Sequence, residues 1–230
     1  METAVRAALG KRRFFGLLLA LLGLLVVFLV EQLLQPSYWV KTAWKAGAFL
    51  GAIALYGAIS KQSLREIIGL HKITRARELL LGMLFFFGGI VLLFVCFRGQ
   101  LDLNGIKQSL TQKEKLTRQN CLLVFGYIIV CNAFLEEAFF RGFLFRLFAK
   151  KKTGALVSAV LFSLYHIGIF ITWFNPFLFV LCVLGLVAVG LFLQWIAARY
   201  QSIAASYLIH ACANLGINTI GALLIFGLLP

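Results

Sequence analysis

The sequence predicts an all-α fold: a polytopic membrane helical bundle with about seven transmembrane helices and short interfacial helices. Hydrophobic residues make up 62% of the 230-residue chain and charged residues only 13%, whereas soluble domains carry roughly 25% charged residues. Apolar runs long enough to cross a bilayer recur from one end of the chain to the other. The polar stretches between them leave no room for a separate soluble domain, so we predict a single membrane domain over residues 1–230.

Seven apolar runs have spanning length. The first follows Lys11, Arg12 and Arg13, as the core of a signal peptide would. It is longer than such a core and has no small-x-small cleavage site behind it, so we predict an uncleaved first span. The predicted spans cover residues 14–34, 42–60, 79–97, 121–145, 153–171, 176–196 and 203–228.

Two connections between the predicted spans carry short amphipathic patterns. Residues 61–78 are too polar to cross a membrane, and their apolar side chains fit one side of a short helix. Residues 101–117 resemble them, with apolar side chains three and four positions apart. Both patterns predict short helices at the membrane interface. The apolar positions are Leu64, Ile67, Ile68 and Leu70 in the first segment and Leu103, Ile106 and Leu110 in the second.

The positive charge predicts the orientation of the bundle. The net charge of +14 is carried by short loops between apolar runs, as topology determinants are, and no basic stripe with interleaved aromatics predicts a nucleic-acid partner. With a cytoplasmic N-terminus, 14 of the 22 lysines and arginines lie on the cytoplasmic side and 7 on the other. Because no eukaryotic targeting signal is visible, we expect a multi-pass protein of a bacterial plasma membrane with its N-terminus in the cytoplasm.

Two adjacent glutamates lie inside the fourth predicted span. An acidic residue at mid-span costs about 2.5–3.5 kcal/mol on insertion scales, so Glu136 and Glu137 indicate a functional site. Glu137 and Arg141 are four residues apart on one helix face, which predicts an ion pair. Glu136 lies about 100° further round the helix and stays free for other chemistry. The alternative interpretation is a structural ion pair that extends to the membrane interface. It would explain Arg141, but it would need only one carboxylate and so leaves Glu136 unexplained. We expect His166 and His210 to be the only other ionisable residues deep in the membrane.

Two further polar motifs lie in later spans. Phe162 and His166 share a helix face in the fifth predicted span, so the aromatic ring can wall the imidazole and fix its orientation. His210 and Asn214 share a face in the seventh, and both side chains offer hydrogen-bond donors. Each motif taken alone also fits a role in helix packing.

The three motifs fall at similar depths in the bundle. The fourth span ends on the cytoplasmic side, where the fifth and seventh begin. Glu136, His166 and His210 lie ~15, ~21 and ~16 Å from the basic residues at the cytoplasmic ends of their helices, counting ~1.5 Å per residue. A common layer only ~6 Å thick predicts that the three motifs form one site.

The three motifs, EEAFFR, FSLYH and HACAN, resemble the EExxxR, FxxxH and HxxxN motifs of the CAAX-protease and bacteriocin-processing (CPBP, or Abi) family of intramembrane proteases. The resemblance covers roughly residues 120–227, which would form a CPBP-like catalytic core. Residues 1–117 carry no comparable signature.

The resemblance implies an intramembrane endopeptidase of the CAAX-protease type, similar to the CAAX prenyl endopeptidases. It implies that Glu136, helped by His166, activates a water molecule. It also implies that His210 and Asn214 donate hydrogen bonds to the oxyanion that forms on the peptide carbonyl. The residues that would support these four are Glu137, Arg141 and Phe162.

A zinc-dependent mechanism is the alternative for this site. Glu136, His166 and His210 could supply a Glu/His/His set for zinc, with a water in the open position. The family has been described both as metalloproteases and as glutamate-dependent proteases. Because nothing in the sequence resembles HExxH, we favour a site without a cofactor and keep zinc as the alternative.

Two other functions remain open at this stage. A non-catalytic immunity or scaffold protein could retain the same fold. A proton-coupled transporter could use membrane-embedded Glu and His as a relay, although it should show inverted repeats in two halves. The expected partners are the lipid bilayer and a peptide or membrane-protein substrate, prenylated or not.

Overall fold

The computed structural model describes residues 2–73, 76–170 and 173–229. Helices make up 85% of the chain, and no strand occurs in the described part, which confirms the predicted all-α membrane bundle. The α-helices in chain order are α1 (Glu2–Leu29), α2 (Tyr38–Ser60), α3 (Leu64–Ile68), α4 (Ala76–Phe97), α5 (Leu103–Gln108), α6 (Cys121–Tyr127), α7 (Ala133–Glu137), α8 (Lys151–Phe170), α9 (Pro176–Tyr200) and α10 (Ile203–Phe226).

Six helical stretches among the described residues are long and apolar enough to cross a membrane. They are Leu9–Leu34, Tyr38–Ser60, Ala76–Gln100, Cys121–Leu144, Pro176–Tyr200 and Ile203–Phe226. The chain is therefore a multi-pass membrane protein. We refer to Cys121–Leu144 as the fourth span; it contains α6 and α7.

The predicted count of seven spans is not confirmed, because α8 is not among the six stretches. Its 20 residues would measure ~30 Å, which matches the hydrocarbon thickness of a bilayer. Residue 171, the predicted end of this span, lies outside the described residues.

Large apolar side chains point outward along the spanning helices. Phe85 on α4 is 74% exposed and Leu184 on α9 is 62% exposed. Such exposure is expected where lipid replaces water around the bundle, because lipid tails are as apolar as the side chains. The polar side chains of the candidate site lie on the inside.

The fourth span and α10 lie at the centre of the bundle. α10 packs against α4, α9 and the fourth span, α1 packs against α2, and α8 packs against α9. A buried aromatic cluster lies where α2, the fourth span and α8 meet: Phe49 stacks on Phe139 with ring centroids 3.9 Å apart, and Phe140 meets Phe162 edge-on at 5.3 Å. These rings exclude water from one side of the glutamate pair.

The two predicted interfacial segments form short helices with side-chain caps. Ser63 and Glu66 form a reciprocal capping box at the start of α3, and Asp102 accepts a hydrogen bond from the Gly105 N–H at the start of α5. The hydrogen bonds that the Glu66 carboxylate accepts from the backbone and side chain of Ser63 lower the pKa of Glu66 below its ordinary value. Ile67 is the buried residue of α3.

Gly142 in the fourth span allows α3 to approach closely. A Cβ atom at this position would lie 2.7 Å from the carbonyl oxygen and 2.9 Å from the Cα of Ile68. We expect Gly142→Ala to lower the stability of the protein by about 1–3 kcal/mol, because a backbone contact cannot yield as a flexible side chain can.

Thermal unfolding in detergent, followed by circular dichroism, would measure this effect. Gly126→Ala is the matched control in the same span, since a Cβ there meets nothing within 4 Å. A Gly142→Ala protein as stable as the control would contradict the close approach of α3.

Candidate active site

The two glutamates lie on α7, a five-residue α-helical segment between two π-helical segments of the fourth span. The π segments are Ile128–Asn132 and Ala138–Leu144, and every residue of the second is buried. π-Helical turns inside α-helices are frequent at functional sites. The sequence pattern predicted a regular α-helix over this span, so the π segments are a feature of the structure that the pattern did not indicate.

Glu136 is buried, with 2% of its surface exposed, and its two oxygens have different surroundings. Oε1 accepts hydrogen bonds from Asn132 Nδ2 at 2.7 Å and from the Tyr165 hydroxyl at 3.1 Å. Oε2 has no hydrogen-bond partner within the described part of the chain. It faces the two histidines instead, so one oxygen is held in place and the other is free to react.

His166 on α8 presents one ring nitrogen to this free oxygen. Its Nε2 lies 3.6 Å from Glu136 Oε2, and its Nδ1 lies 2.7 Å from the carbonyl oxygen of Phe162. A carbonyl oxygen can only accept a hydrogen bond, so Nδ1 carries the proton. In the neutral ring Nε2 therefore has a lone pair directed at the site.

His210 on α10 approaches from the other side in a similar way. Its Nε2 lies 3.7 Å from Glu136 Oε2, and its Nδ1 lies 2.9 Å from Glu137 Oε1. The Glu137 carboxylate accepts a hydrogen bond from Nδ1–H and would stabilise a positive charge on the ring. The structure thus brings the side chains of Glu136, His166 and His210 together, as the sequence predicted.

Glu137 and Arg141 form the predicted i,i+4 ion pair, with 2.9 Å between Oε1 and Nη1. Arg141 is only 2% exposed, so it does not extend to the membrane interface. Its guanidinium lies over the Phe162 ring, 4.0 Å from the centroid, as in cation–π pairs. Neither Nη atom makes a hydrogen bond to a described residue, so charge and ring contact together hold this side chain.

Phe162 contacts several members of the site. Its ring centroid lies 4.5 Å from that of His166 and 5.7 Å from that of His210. The ring therefore packs against both imidazoles, as the sequence predicted for His166. The backbone carbonyl of Phe162 sets the tautomer of His166.

Asn214 is half-buried and lies one turn beyond His210 on α10. Its Nδ2 donates to the Ile128 carbonyl at 3.3 Å, at the start of the first π segment, and its backbone oxygen accepts from Asn218 at 2.8 Å. Its hydrogen bonds thus do not join it to Glu136, His166 or His210. The second N–H of the carboxamide is not used in these contacts.

Two charged residues near Glu136 were not expected from the sequence. Lys45 Nζ on α2 lies 4.0 Å from Glu136 Oε1 and 3.8 Å from Glu31 Oε1, where Glu31 follows α1. The expectation that only five ionisable residues lie deep in the membrane is therefore wrong. Both residues stand inside apolar runs, which is the signal that could have identified them. Asn132 and Tyr165, which hold Glu136 Oε1, were also missed.

Three carboxylates and two cations lie close together at the site. The carboxylates are Glu31, Glu136 and Glu137, and the cations are Lys45 and Arg141. An uncompensated charge in an apolar interior is unfavourable, so the two cations stabilise the ionised carboxylates beside them.

The donor set at the centre of the site is of a kind that zinc accepts: one carboxylate oxygen and two imidazole nitrogens. The hydrogen bonds at the two Nδ1 atoms also resemble those that orient metal-binding histidines. Among the described residues, however, no group of three or more His, Cys, Asp or Glu side chains has an arrangement that could hold a metal ion. The geometry of the three donors does not by itself make a metal site.

A cavity of about 250 Å³ lies between α1 and α8 next to the site. Its polar lining residues are Glu31, Gln32 and Tyr165, and the rest of its lining is mainly apolar. Since the Tyr165 hydroxyl binds Glu136, this cavity leads to the edge of the site. A larger cavity of about 320 Å³ between α4, α9 and α10 contains none of the candidate catalytic side chains.

Residues 118–216 match the family model described as Type II CAAX prenyl endopeptidase Rce1-like. This match is consistent with the resemblance to the CPBP family and covers the residues from Glu136 to Asn214. The matched family is a family of peptidases. No curated protein and no solved structure shows a significant match.

Proposed function

Since residues 118–216 match the Type II CAAX prenyl endopeptidase family, we propose that this chain is an intramembrane endopeptidase of the CAAX-protease type. The observation that carries the proposal is the convergence of Glu136 Oε2 with the Nε2 atoms of His166 and His210, at 3.6 and 3.7 Å. A buried carboxylate oxygen without a hydrogen bond is unfavourable, and such atoms in folded proteins usually bind a water molecule or take part in catalysis.

The first step in this mechanism is the activation of a water molecule. A water between Glu136 Oε2 and His166 Nε2 can contact both atoms, because they are 3.6 Å apart. Glu136 takes one proton from this water as the oxygen attacks the peptide carbonyl carbon, with His166 orienting the water through its Nε2 lone pair. General-base catalysis of this kind contributes typically about 100- to 10,000-fold to the rate.

The second step needs hydrogen-bond donors for the oxyanion. His210 in its protonated form offers Nε2–H, and Glu137 balances the charge through Nδ1. Asn214 offers the amide N–H that does not bind Ile128. Each such donor is worth about 3 kcal/mol in enzymes where it has been removed. Arg141 and Phe162 act indirectly, because they hold Glu137 and the two rings in place.

The tetrahedral intermediate then collapses with cleavage of the C–N bond. The leaving amine takes the proton that Glu136 removed from water, which yields one new carboxyl group and one new amine. Glu136 returns to its ionised form, and the site binds the next water.

The substrate in this proposal is a peptide or membrane protein that reaches the site from the bilayer. The apolar cavity between α1 and α8 offers a route for a lipid-attached or membrane-embedded chain, and a prenylated CAAX tail is one substrate that the family implies. We propose that the protein resides in a plasma membrane with its N-terminus in the cytoplasm, and that residues 120–227 form the catalytic core.

A comparison of membrane peptides tests the proposal without knowledge of the substrate. Cells that express the wild-type protein or Glu136→Gln are compared by mass spectrometry of peptide termini. We expect a set of new termini that is present with the wild type and absent with the variant. Identical sets of termini would contradict a peptidase and would favour an immunity or scaffold protein.

We expect proteolysis by the purified protein to survive treatment with a metal chelator. The reason is that Glu136 and His166 can activate water directly, without a Lewis acid. The measurement is cleavage of a substrate identified from the new termini, with and without chelator, and a known zinc peptidase in the same detergent serves as the positive control. Loss of cleavage that zinc restores would contradict the prediction and would assign Glu136, His166 and His210 as zinc ligands.

A further inference from the structure

Lys45 on α2 lies at the side of Glu136 that faces away from the histidines. Its Nζ lies 3.1 Å from Asn132 Oδ1, 3.8 Å from Glu31 Oε1 and 4.0 Å from Glu136 Oε1. It also lies 5.2 Å from the centroid of the Tyr165 ring. A lysine is seldom buried in a membrane span unless it has a partner or a function.

The contacts of Lys45 fix the orientation of the Asn132 amide. An ammonium group can only donate, so it binds the amide oxygen, and the amide NH₂ must then point the other way. The NH₂ donates to Glu136 Oε1 at 2.7 Å, and a carboxylate oxygen can only accept. The hydrogen bonds that link Lys45, Asn132 and Glu136 can therefore run in only one direction, from the ammonium group through the amide to the carboxylate.

This chain of hydrogen bonds acts on one oxygen of the catalytic carboxylate. Asn132 and Tyr165 both donate to Oε1, and both donors favour the ionised form of Glu136. The positive charge of Lys45 favours it as well, while Glu31 keeps Lys45 itself paired. Oε2 is left without a protein donor and stays directed at the imidazoles.

We propose that Lys45, acting through Asn132, is a positioning residue that keeps Glu136 ionised and holds Oε2 toward the two histidines. The proposal rests on the proposed peptidase function. It implies that α2, which lies outside the matched residues 118–216, completes the active site.

The same helix provides a matched control. Lys41 lies one turn before Lys45 and is similarly little exposed, with 8% of its side chain accessible against 12% for Lys45, but it pairs with Glu114 at 3.1 Å. Loss of either lysine removes one charge from the same helix, so a general effect on folding or insertion should be similar for both. Only the loss of Lys45 should affect Glu136.

Kinetics of substrate cleavage test the role in catalysis. We expect Lys45→Met to lower kcat by about 10- to 100-fold, since a misplacement of a reactive group by about 1 Å can cost about 100-fold in rate, with little change in KM. Lys45→Arg should recover part of the lost rate, because it restores the charge. Lys41→Met should cleave like the wild type. Lys45→Met combined with Asn132→Leu should be no slower than the slower single variant, since both changes interrupt the same chain.

Chemical labelling tests the same inference without any cleaved substrate. Apolar carbodiimides modify carboxyl groups that carry a proton, and mass spectrometry of the digested protein identifies the modified residue. We expect Glu136 to be labelled faster in Lys45→Met than in the wild type, and Lys41→Met to match the wild type. This result would support the inference even if no peptide were cleaved, in which case only the peptidase proposal would fail.

Two results would overturn the inference. The first is equal labelling of Glu136 in the wild type, Lys45→Met and Lys41→Met. The second is a double variant whose loss of kcat equals the product of the two single losses, since Lys45 and Asn132 would then act independently.

Discussion

Glu136→Gln is expected to lower peptide cleavage by about 100- to 10,000-fold, the range that loss of a general base produces. The substitution keeps the size of the side chain and can still accept from Asn132 and Tyr165 through its amide oxygen. It removes the negative charge and the basic oxygen at Oε2, which is the position that faces His166 and His210. The effect should therefore fall on kcat, with the folded state retained.

The measurement is cleavage of one substrate by purified protein at fixed pH, with circular dichroism to confirm the fold. Glu78→Gln is the control, because Glu78 is an exposed carboxylate that pairs with Arg199 on the surface. We expect Glu78→Gln to retain wild-type activity. A Glu136→Gln protein with more than about a tenth of wild-type activity would exclude Glu136 as the general base, because that base is expected to contribute at least about 100-fold.

The same variant separates the alternative functions. In an immunity or scaffold protein, Glu136→Gln should leave the phenotype of the cell unchanged. In a proton-coupled transporter it should abolish uptake without any change in peptide termini. Only a peptidase loses cleavage products while the protein stays in the membrane.

Arg141→Met is expected to destabilise the protein by about 3–5 kcal/mol, because it removes the guanidinium partner of the buried Glu137 carboxylate, which then keeps its contact with His210. The ion pair is deeply buried, with side-chain exposures of 1% and 0%, so water cannot replace the missing cation. The cation–π contact with Phe162 is lost as well. A methionine fills much of the same volume, so the effect should come mainly from charge.

Unfolding by sodium dodecyl sulfate in mixed micelles would measure this destabilisation. Arg199→Met is the matched control, because Arg199 pairs with Glu78 at 3.1 Å with both side chains exposed, and such pairs contribute less than about 1 kcal/mol. Adding Glu137→Leu to Arg141→Met should recover part of the stability. Equal losses for Arg141→Met and Arg199→Met would contradict the buried ion pair.

The sequence predicted two kinds of contact in the site. The first are contacts between residues of the same helix, and the second are contacts between residues at the same depth on different helices. The Glu137–Arg141 pair follows from a spacing of four residues, and the contact between Phe162 and His166 follows from the same spacing. The approach of His210 to Glu136 was predicted because the depth of a residue in a membrane can be counted from the ends of its helix.

The parts that the sequence did not predict depend on how helices rotate and pack against each other. Lys45 lies 87 positions before Asn132, and only the rotation of α2 against the fourth span brings them together. The contact between Asn132 and Glu136 could have been predicted from the sequence, since the two residues are four positions apart on one helix. The fourth span was treated as a regular α-helix, and its π segments, which no single residue indicates, change the faces on which its side chains lie.

The fifth predicted span carries polar side chains on a face that packs inside the bundle. They include His166, a member of the candidate site, and Ser158, whose hydroxyl donates to the Phe140 carbonyl at 2.8 Å. Hydropathy averages both faces of a helix, so it does not reveal which face is buried or what its polar side chains contact.

The most direct test of the central claim is an experimental structure of the protein in lipid at a resolution that reveals ordered water. We expect a water molecule within hydrogen-bond distance of Glu136 Oε2 and His166 Nε2, with His210 Nε2 facing the same position. A Glu136 sealed from water by apolar side chains, or histidines whose Nε2 atoms point to lipid, would contradict the account.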